Sequence, residues 1–253
     1  MIEQTYAVTG PADLDISLAS GSLVMEAGAA DSVTVVIDAQ NTDGWRIHQS
    51  GDSITVSYER SLVGRGGRTR IRVIAPEMSS LKANSASADI RARLALGRAA
   101  INTASGEVLL GDVGSIAVKT ASGDVSADSV EGDLSIRSAS GDIRVSRVGG
   151  DVSLTTASGD VDLDHVEGSL SASSASGDIH VGAYRGDDLE AATMSGDVVV
   201  GLPGGRRVKL KANTLSGSVR LPDRRPGSDS SGPTVEVSLK SVSGDLTIRR
   251  VEP

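Results

Sequence analysis

The stretch Ala139-Ser140-Gly141-Asp142-Ile143-Arg144-Val145-Ser146-Arg147-Val148-Gly149-Gly150-Asp151-Val152-Ser153-Leu154-Thr155-Thr156 is followed at once by Ala157-Ser158-Gly159-Asp160-Val161, which begins the same phrase again. The period is about 18 residues. Ala-Ser-Gly-Asp also stands at 121–124 and 175–178, with Ala-Ser-Gly-Glu at 104–107, Met-Ser-Gly-Asp at 194–197, Leu-Ser-Gly-Ser at 215–218, Val-Ser-Gly-Asp at 242–245, and a degenerate Ala-Ser-Ala-Asp at 86–89. A short period sustained this long means stacked repeats of one unit.

Each unit divides into halves of about nine residues, a glycine turn followed by apolar residues at alternate positions. Alternation with period two marks a strand with one buried face. Each unit therefore reads as two short strands and two turns. The fold class is all-β: a single-stranded parallel β-solenoid, or β-helix, with two-strand rungs of about 18 residues.

Aligned rungs give apolar columns. Val125, Ile143, Val161, Ile179, Val198, Val219 and Leu246 open the first strand, and Leu134, Val152, Leu170, Leu189 and Val208 open the second. Two residues further along the second strand stand Ile136, Leu154, Ala172, Ala191 and Leu210. Two turn columns complete the expected core. One is Ala104, Ala121, Ala139, Ala157, Ala175, Met194, Leu215 and Val242; the other is Val113, Val130, Val148, Val166 and Tyr184. A column of hydroxyls, Thr103, Thr120, Ser138, Thr156, Ser174, Thr193, Thr214 and Ser241, reads as a ladder in which each hydroxyl serves the next rung.

Composition fits a narrow coil. The 253 residues include 30 glycines, no phenylalanine, one tryptophan and three tyrosines. No cysteine is present, which excludes disulfides and thiolate metal sites. A net charge of −8 disfavours nucleic acid as a partner. No 18-residue apolar run and no signal-peptide pattern occurs, so the chain as it stands is expected to be cytoplasmic and not inserted in a membrane.

Residues 1–84 repeat less regularly and read as an irregular β entry region that caps the coil. Within them, Gly64-Arg65-Gly66-Gly67-Arg68 reads as a basic hairpin-like loop. Residues 85–253 hold the repeats, with a mobile insertion expected at 222–233. Asp187-Asp188 and Arg206-Arg207 each add a residue, as bulges would. At the C-terminal end, Arg249-Arg250-Val251-Glu252-Pro253 is expected to close the last rung and keep the protein a monomer or weak dimer.

The sharpest chemical feature is the acid after each glycine. Asp124, Asp142, Asp160 and Asp178 are the cation candidates of this row. The calcium-binding β-roll has a comparable period, but its turns hold more glycines and so free more carbonyl oxygens for the ion. The reading preferred here is structural, with each Asp accepting hydrogen bonds from turn N–H groups. His48, His165 and His180 are the only imidazoles, and no nucleophile elbow or zinc-protease motif occurs. Tyr6, Trp45, Tyr58 and Tyr184 are too scattered for a sugar-stacking platform. No catalytic residue and no cofactor site is assigned.

The repeated Ala-Ser-Gly-Asp-[Val/Ile], with a weaker Val-x-Gly-[Asp/Ser]-[Leu/Val] between copies, resembles the bacterial "putative adhesin" β-strand-repeat family of unknown function. The resemblance spans residues 86–251, and Ile71-Arg72-Val73-Ile74-Ala75-Pro76 looks like the family's entry strand. It implies a β-repeat fold, an adhesin-like surface role and no catalytic residue. The resulting expectation is a non-enzymatic scaffold or adhesin-like module with an unknown protein or surface partner. A calcium-binding β-roll and a polysaccharide-binding or polysaccharide-cleaving β-helix are the alternatives.

Overall fold

The structure is a computed structural model that describes residues 1–59, 69–204, 207–222 and 234–251. Among these residues there are 22 strands and no helix. The chain divides into two compact units, residues 1–128 and 129–253. The basic loop at 64–68, Arg206, most of the expected insertion at 222–233 and the terminal Glu252-Pro253 lie outside the described residues.

In the first unit, β1 (Ile2–Ala7) is followed by the long β2 (Asp13–Ala27), then β3 (Ser32–Asp38), β4 (Trp45–Ser50), β5 (Ser53–Tyr58) and β6 (Thr69–Ala75). The longer strands β7 (Ser79–Ala92), β8 (Leu96–Ser105) and β9 (Val108–Ser122) follow, and β10 (Val125–Val130) runs through the boundary. β2 is a full rung. It bends at Gly21 and lies parallel to β7 along its length, with Leu14 beside Leu81, Ser20 beside Ser87 and Leu23 beside Ile90. The bend is a further copy of the repeat, Ala19-Ser20-Gly21-Ser22. The opposite edge of β2 pairs in parallel with β5 and β6. Onto these strands β4, β3 and β1 add antiparallel partners. Residues 1–84 thus hold one regular rung and an antiparallel layer beside it. In that layer the Trp45 and Tyr58 rings meet at 5.3 Å between centroids.

The second unit holds two parallel ladders. One begins with β11 (Leu134–Ser140), β13 (Val152–Ser158), β15 (Leu170–Ser176) and β17 (Asp188–Ser195). The other begins with β12 (Ile143–Val148), β14 (Val161–Val166), β16 (Ile179–Tyr184) and β18 (Val198–Pro203). Then spatial order departs from chain order. The next strands in the chain, β19 (Arg207–Ser216) and β20 (Val219–Arg220), do not pair with β17 and β18. Instead β21 (Thr234–Ser243) and β22 (Leu246–Val251) lie between: β21 joins β17 to β19, and β22 joins β18 to β20. Among the described residues the final rung of this unit is therefore 207–220, and the C-terminal strands are interior. The expectation that Arg249–Val251 closes the end is overturned.

The register corrects the column assignment in this rung. Leu210, not Val208, stands in line with Val237 and Leu189, and Ala212, not Leu210, follows Leu239 and Ala191. A shift of two residues preserves which side chains face inward. The extra residue at Asp187-Asp188 is absorbed before β17, whose pairing with β15 runs in unbroken register.

The core follows strand parity. Leu134, Val152 and Leu170 stack with almost no exposure, as do Ile143, Val161 and Ile179. Each such side chain contributes about 1.5–3 kcal/mol when fully buried. Tyr184 fills the core where Val148 and Val166 stand in earlier rungs, and its hydroxyl donates to the Asp188 carbonyl. One expected core column is on the outside. Ala139, Ala157, Met194, Val242 and Leu215 are exposed, while the neighbouring hydroxyls Thr156, Ser174, Thr193 and Ser241 are buried. Alternation runs unbroken into the corner, so the hydroxyl inherits the inward position and the apolar residue after it points to solvent.

Two tests follow. Val152→Asp places an unpaired charge in the core and should cost several kcal/mol in chemical denaturation. Ser153→Asp, one residue on and exposed, should stay within about 0.5 kcal/mol of the parent. The rung order is checked by disulfide trapping, since the chain has no cysteine of its own. Ala192→Cys with Lys240→Cys are register partners and should cross-link on oxidation. Ala192→Cys with Asn213→Cys lie two strand spacings apart, about 9.6 Å, and should not.

Candidate functional site

The repeated chemistry lies at the corner where the second strand of one rung turns into the first strand of the next. The buried hydroxyl comes first. Thr103 Oγ1 donates to the Ser105 carbonyl at 2.7 Å, Ser138 Oγ to Ser140 at 2.9 Å and Thr156 Oγ1 to Ser158 at 2.9 Å. Thr214 Oγ1 reaches the Gly244 carbonyl of the adjacent rung at 3.1 Å. The acceptors are backbone carbonyls of the bend and not other hydroxyls; Thr103, Ser138 and Thr156 bond within their own turn, and Thr214 serves the neighbouring rung, as the expected ladder required of all of them. A buried carbonyl without a partner would cost about 1–3 kcal/mol.

The glycine turns the chain, and the acid after it ties the rungs together. Asp142 Oδ1 accepts the Asp160 N–H at 3.0 Å, Asp160 Oδ1 accepts that of Asp178 at 2.9 Å, and Asp178 Oδ1 accepts that of Asp197 at 2.8 Å. The series follows spatial order: Asp197 Oδ1 accepts the Asp245 N–H at 2.7 Å, and Asp245 Oδ1 accepts both the N–H and the hydroxyl of Ser218 at 2.8 Å. In the first unit Asp89 Oδ1 accepts the Glu107 N–H at 3.2 Å. The other turn carries a shorter version, with Asp133 Oδ1 accepting from Asp151 and Asp151 Oδ1 from Ser169 at 3.0 and 2.9 Å. Sequence reasoning passed over that second ladder, although its signal, Gly-Asp in successive half-repeats, was visible.

Arginines offset part of the accumulated charge. Arg144 lies 2.7 Å from Asp142, Arg220 3.0 Å from Asp245, and Arg91 2.6 Å from Glu107. The Asp160 N–H, with a smaller contribution from Arg144, holds the Asp142 carboxyl below the usual carboxylate range, against a partial burial that pushes it up. The Ser218 N–H and hydroxyl do the same for Asp245.

Of the four cation candidates, Asp142, Asp160 and Asp178 stack in successive rungs of the second unit. Asp124 holds the same motif position in the first unit, where its carbonyl accepts the Val108 N–H at 2.9 Å. At this corner each rung supplies one carboxylate, and in the stacked three one oxygen is engaged by a neighbouring amide. Among the described residues no three His, Asp or Glu side chains gather as a metal site. His180 Nδ1 lies 2.8 Å from Asp162 Oδ1 on the outer face, in register across one rung, and not against the sequence-adjacent Asp178. A solvent-open depression of about 440 Å³ in the first unit is lined by Gly21, Ser22, Asp38, Arg70, Asp89 and Arg91. Its Arg91 is held between Asp89 and Glu107.

The chain was compared with known protein families. The Toastrack DUF4097 family model matches residues 12–249. The chain belongs to this family. The match begins at Ala12, before the long β2 rung, which places the antiparallel strands β3 and β4 inside the family's fold together with the repeats. Comparison with curated proteins found no match. Among solved structures, a putative lipid binding protein from Parabacteroides distasonis ATCC 8503 is 15% identical with a TM-score of 0.59, over 98% of this chain and 96% of its own. A putative adhesin from the same strain is 12% identical, with a TM-score of 0.49 over 97% and 96%. One from Parabacteroides merdae ATCC 43184 is 13% identical, with a TM-score of 0.49 over 98% and 95%. At 15% identity the likeness to the putative lipid binding protein is one of fold.

The depressed Asp142 value fixes a sign. A carboxyl whose folded value lies below its unfolded one stabilises the fold above the unfolded value, about pH 4, and loses that contribution as pH falls through the folded value. The melting temperature should therefore drop below about pH 4, and Asp142→Ala should reduce the drop while lowering stability at neutral pH. Thermal melts across pH check both.

Proposed function

We propose that this Toastrack protein is a non-catalytic binding module that presents the outer faces of its parallel ladders to a protein or surface partner. One observation carries the reading: the rungs repeat inside and vary outside. Inward positions are nearly all Val, Ile, Leu or Ala, and the corner residues recur because they hold the rungs together. Outward positions follow no such rule. In register, one outer row runs Arg144, Asp162, His180, Val199 and Thr247, and another runs Ser153, Ser171, Glu190, Ser238 and Lys211. Outward residues that the packing of the core does not constrain are the ones able to carry recognition, and here they lie on open sheet faces. The adhesin-like role implied by the family resemblance is consistent with this reading.

The same accounting supports a structural role for Asp124, Asp142, Asp160 and Asp178 over a calcium ladder, because a calcium site needs six to eight oxygens. Millimolar calcium should leave the melting temperature nearly unchanged; a rise of many degrees that a chelator reverses would favour the β-roll. A panel of polysaccharides incubated with the protein should release no new reducing ends. Saturable turnover of any of them would overturn the binding-module reading.

A further inference from the structure

The last rung of the second unit is open. One step inward, Val235, Val237 and Leu239 are buried to 1% exposure or less, and Leu246 is fully buried. In the final rung Val208 is 41% exposed and Val219 43%, although they stand in line with the buried Val235 and Leu246, and Leu221 just past β20 is 57% exposed. β19 is ten residues long and, among the described residues, its only ladder is with β21. Among the described residues one edge of that strand thus has no ladder and lies beside exposed core side chains, the condition under which a sheet accepts another strand.

The charge of this rung is unlike that of the whole chain. The described residues 207–222 carry Arg207, Lys209, Lys211 and Arg220 and no Asp or Glu, in a protein of net charge −8. Lys209 and Lys211 stand at the outward positions of β19, between the inward Val208, Leu210 and Ala212. The molecule already shows what such positions accept from a neighbouring strand. Lys209 Nζ lies 2.6 Å from Glu236 Oε1 on β21, and Lys240 Nζ on β21 lies 2.7 Å from Glu190 Oε1 on β17.

We propose that the open edge of β19 is a strand-docking site for an extended acidic polypeptide segment of a partner, with apolar residues at alternate positions and Asp or Glu between them. Its apolar residues cover Val208, Leu210 and Ala212, its carboxylates meet Lys209 and Lys211, and its backbone pairs with the strand edge. An anionic membrane would satisfy the cations but leave the backbone edge without partners in an apolar phase. A second copy docked end to end would bring the same cations face to face. This site deepens the binding-module reading and rests on it.

The probe is a fluorescein-labelled ten-residue peptide with valine or leucine at every second position and glutamate between. Controls are the same peptide with lysine for glutamate, and vesicles of phosphatidylglycerol and phosphatidylcholine. The glutamate peptide should bind saturably in anisotropy and slow amide exchange along β19, and the lysine peptide should not bind. Lys211→Glu should weaken the glutamate peptide by about tenfold, because an opposite-charge pair becomes a like-charge one. It should also admit the lysine peptide, while Lys211→Gln falls between the two. An unchanged melting temperature shows that these variants are folded. No saturable binding at millimolar peptide, or binding without β19 protection, overturns the site. So does vesicle binding in place of peptide binding, or concentration-dependent dimerisation that protects β19. Failure of the peptide removes this site alone, whereas polysaccharide turnover removes the binding-module reading.

Discussion

The structure depends on how closely one rung can approach the next at the Ser-Gly-Asp corner. At Gly159 the backbone has φ of +115°, and a Cβ there would lie 2.2 Å from the Gly141 carbonyl oxygen. No side chain fits, and an L-residue would also be strained. With glycine the corners nest, and the strands on either side fall into ladder register. The other features follow from that register. Val152 lands on Leu134 and Leu170, Asp142 reaches the Asp160 amide, and Thr156 turns its hydroxyl toward the carbonyls of the bend. The repeat thus records a packing constraint before it records a function.

This explains which parts of the fold were legible in the sequence. Strand positions could be read because alternation and period coincide: Ile143, Val161 and Ile179 stack as their spacing implies. The copy Ala19-Ser20-Gly21-Ser22 was hidden because its rung partner is Ser87 rather than a residue one period away, with the antiparallel strands in between. The outward Ala139 and Ala157 were misplaced because hydrophobicity was read where parity decides. The order of the last rungs was not legible, because Leu239 and Ala212 suit the same column whichever stacks first. The acids stand at the corners that their spacing implies, but their partners depend on which rung lies next. That is a tertiary fact, as Asp197 with Asp245 illustrates.

The division between a repetitive interior and a varied exterior is also where the chemistry stops being shared. Inside, each rung does the same work with nearly the same residues. Outside, neighbouring rungs differ in charge and polarity, and among the described residues the final rung brings together exposed apolar side chains, cations and a strand edge without a ladder. A coil of this kind concentrates its potential for recognition on faces and ends, because its core has no room for a cavity.

The central claim, that backbone nesting at the glycine corner holds the rungs in register, is tested most directly by chemical denaturation of Gly159→Ala beside Gly10→Ala. A Cβ at Gly10 would meet no atom within 4 Å, and the backbone there has no positive φ. Gly159→Ala should lose well over 1 kcal/mol, and Gly10→Ala should stay within about 0.5 kcal/mol of the parent. Equal stability of the two variants would contradict the account.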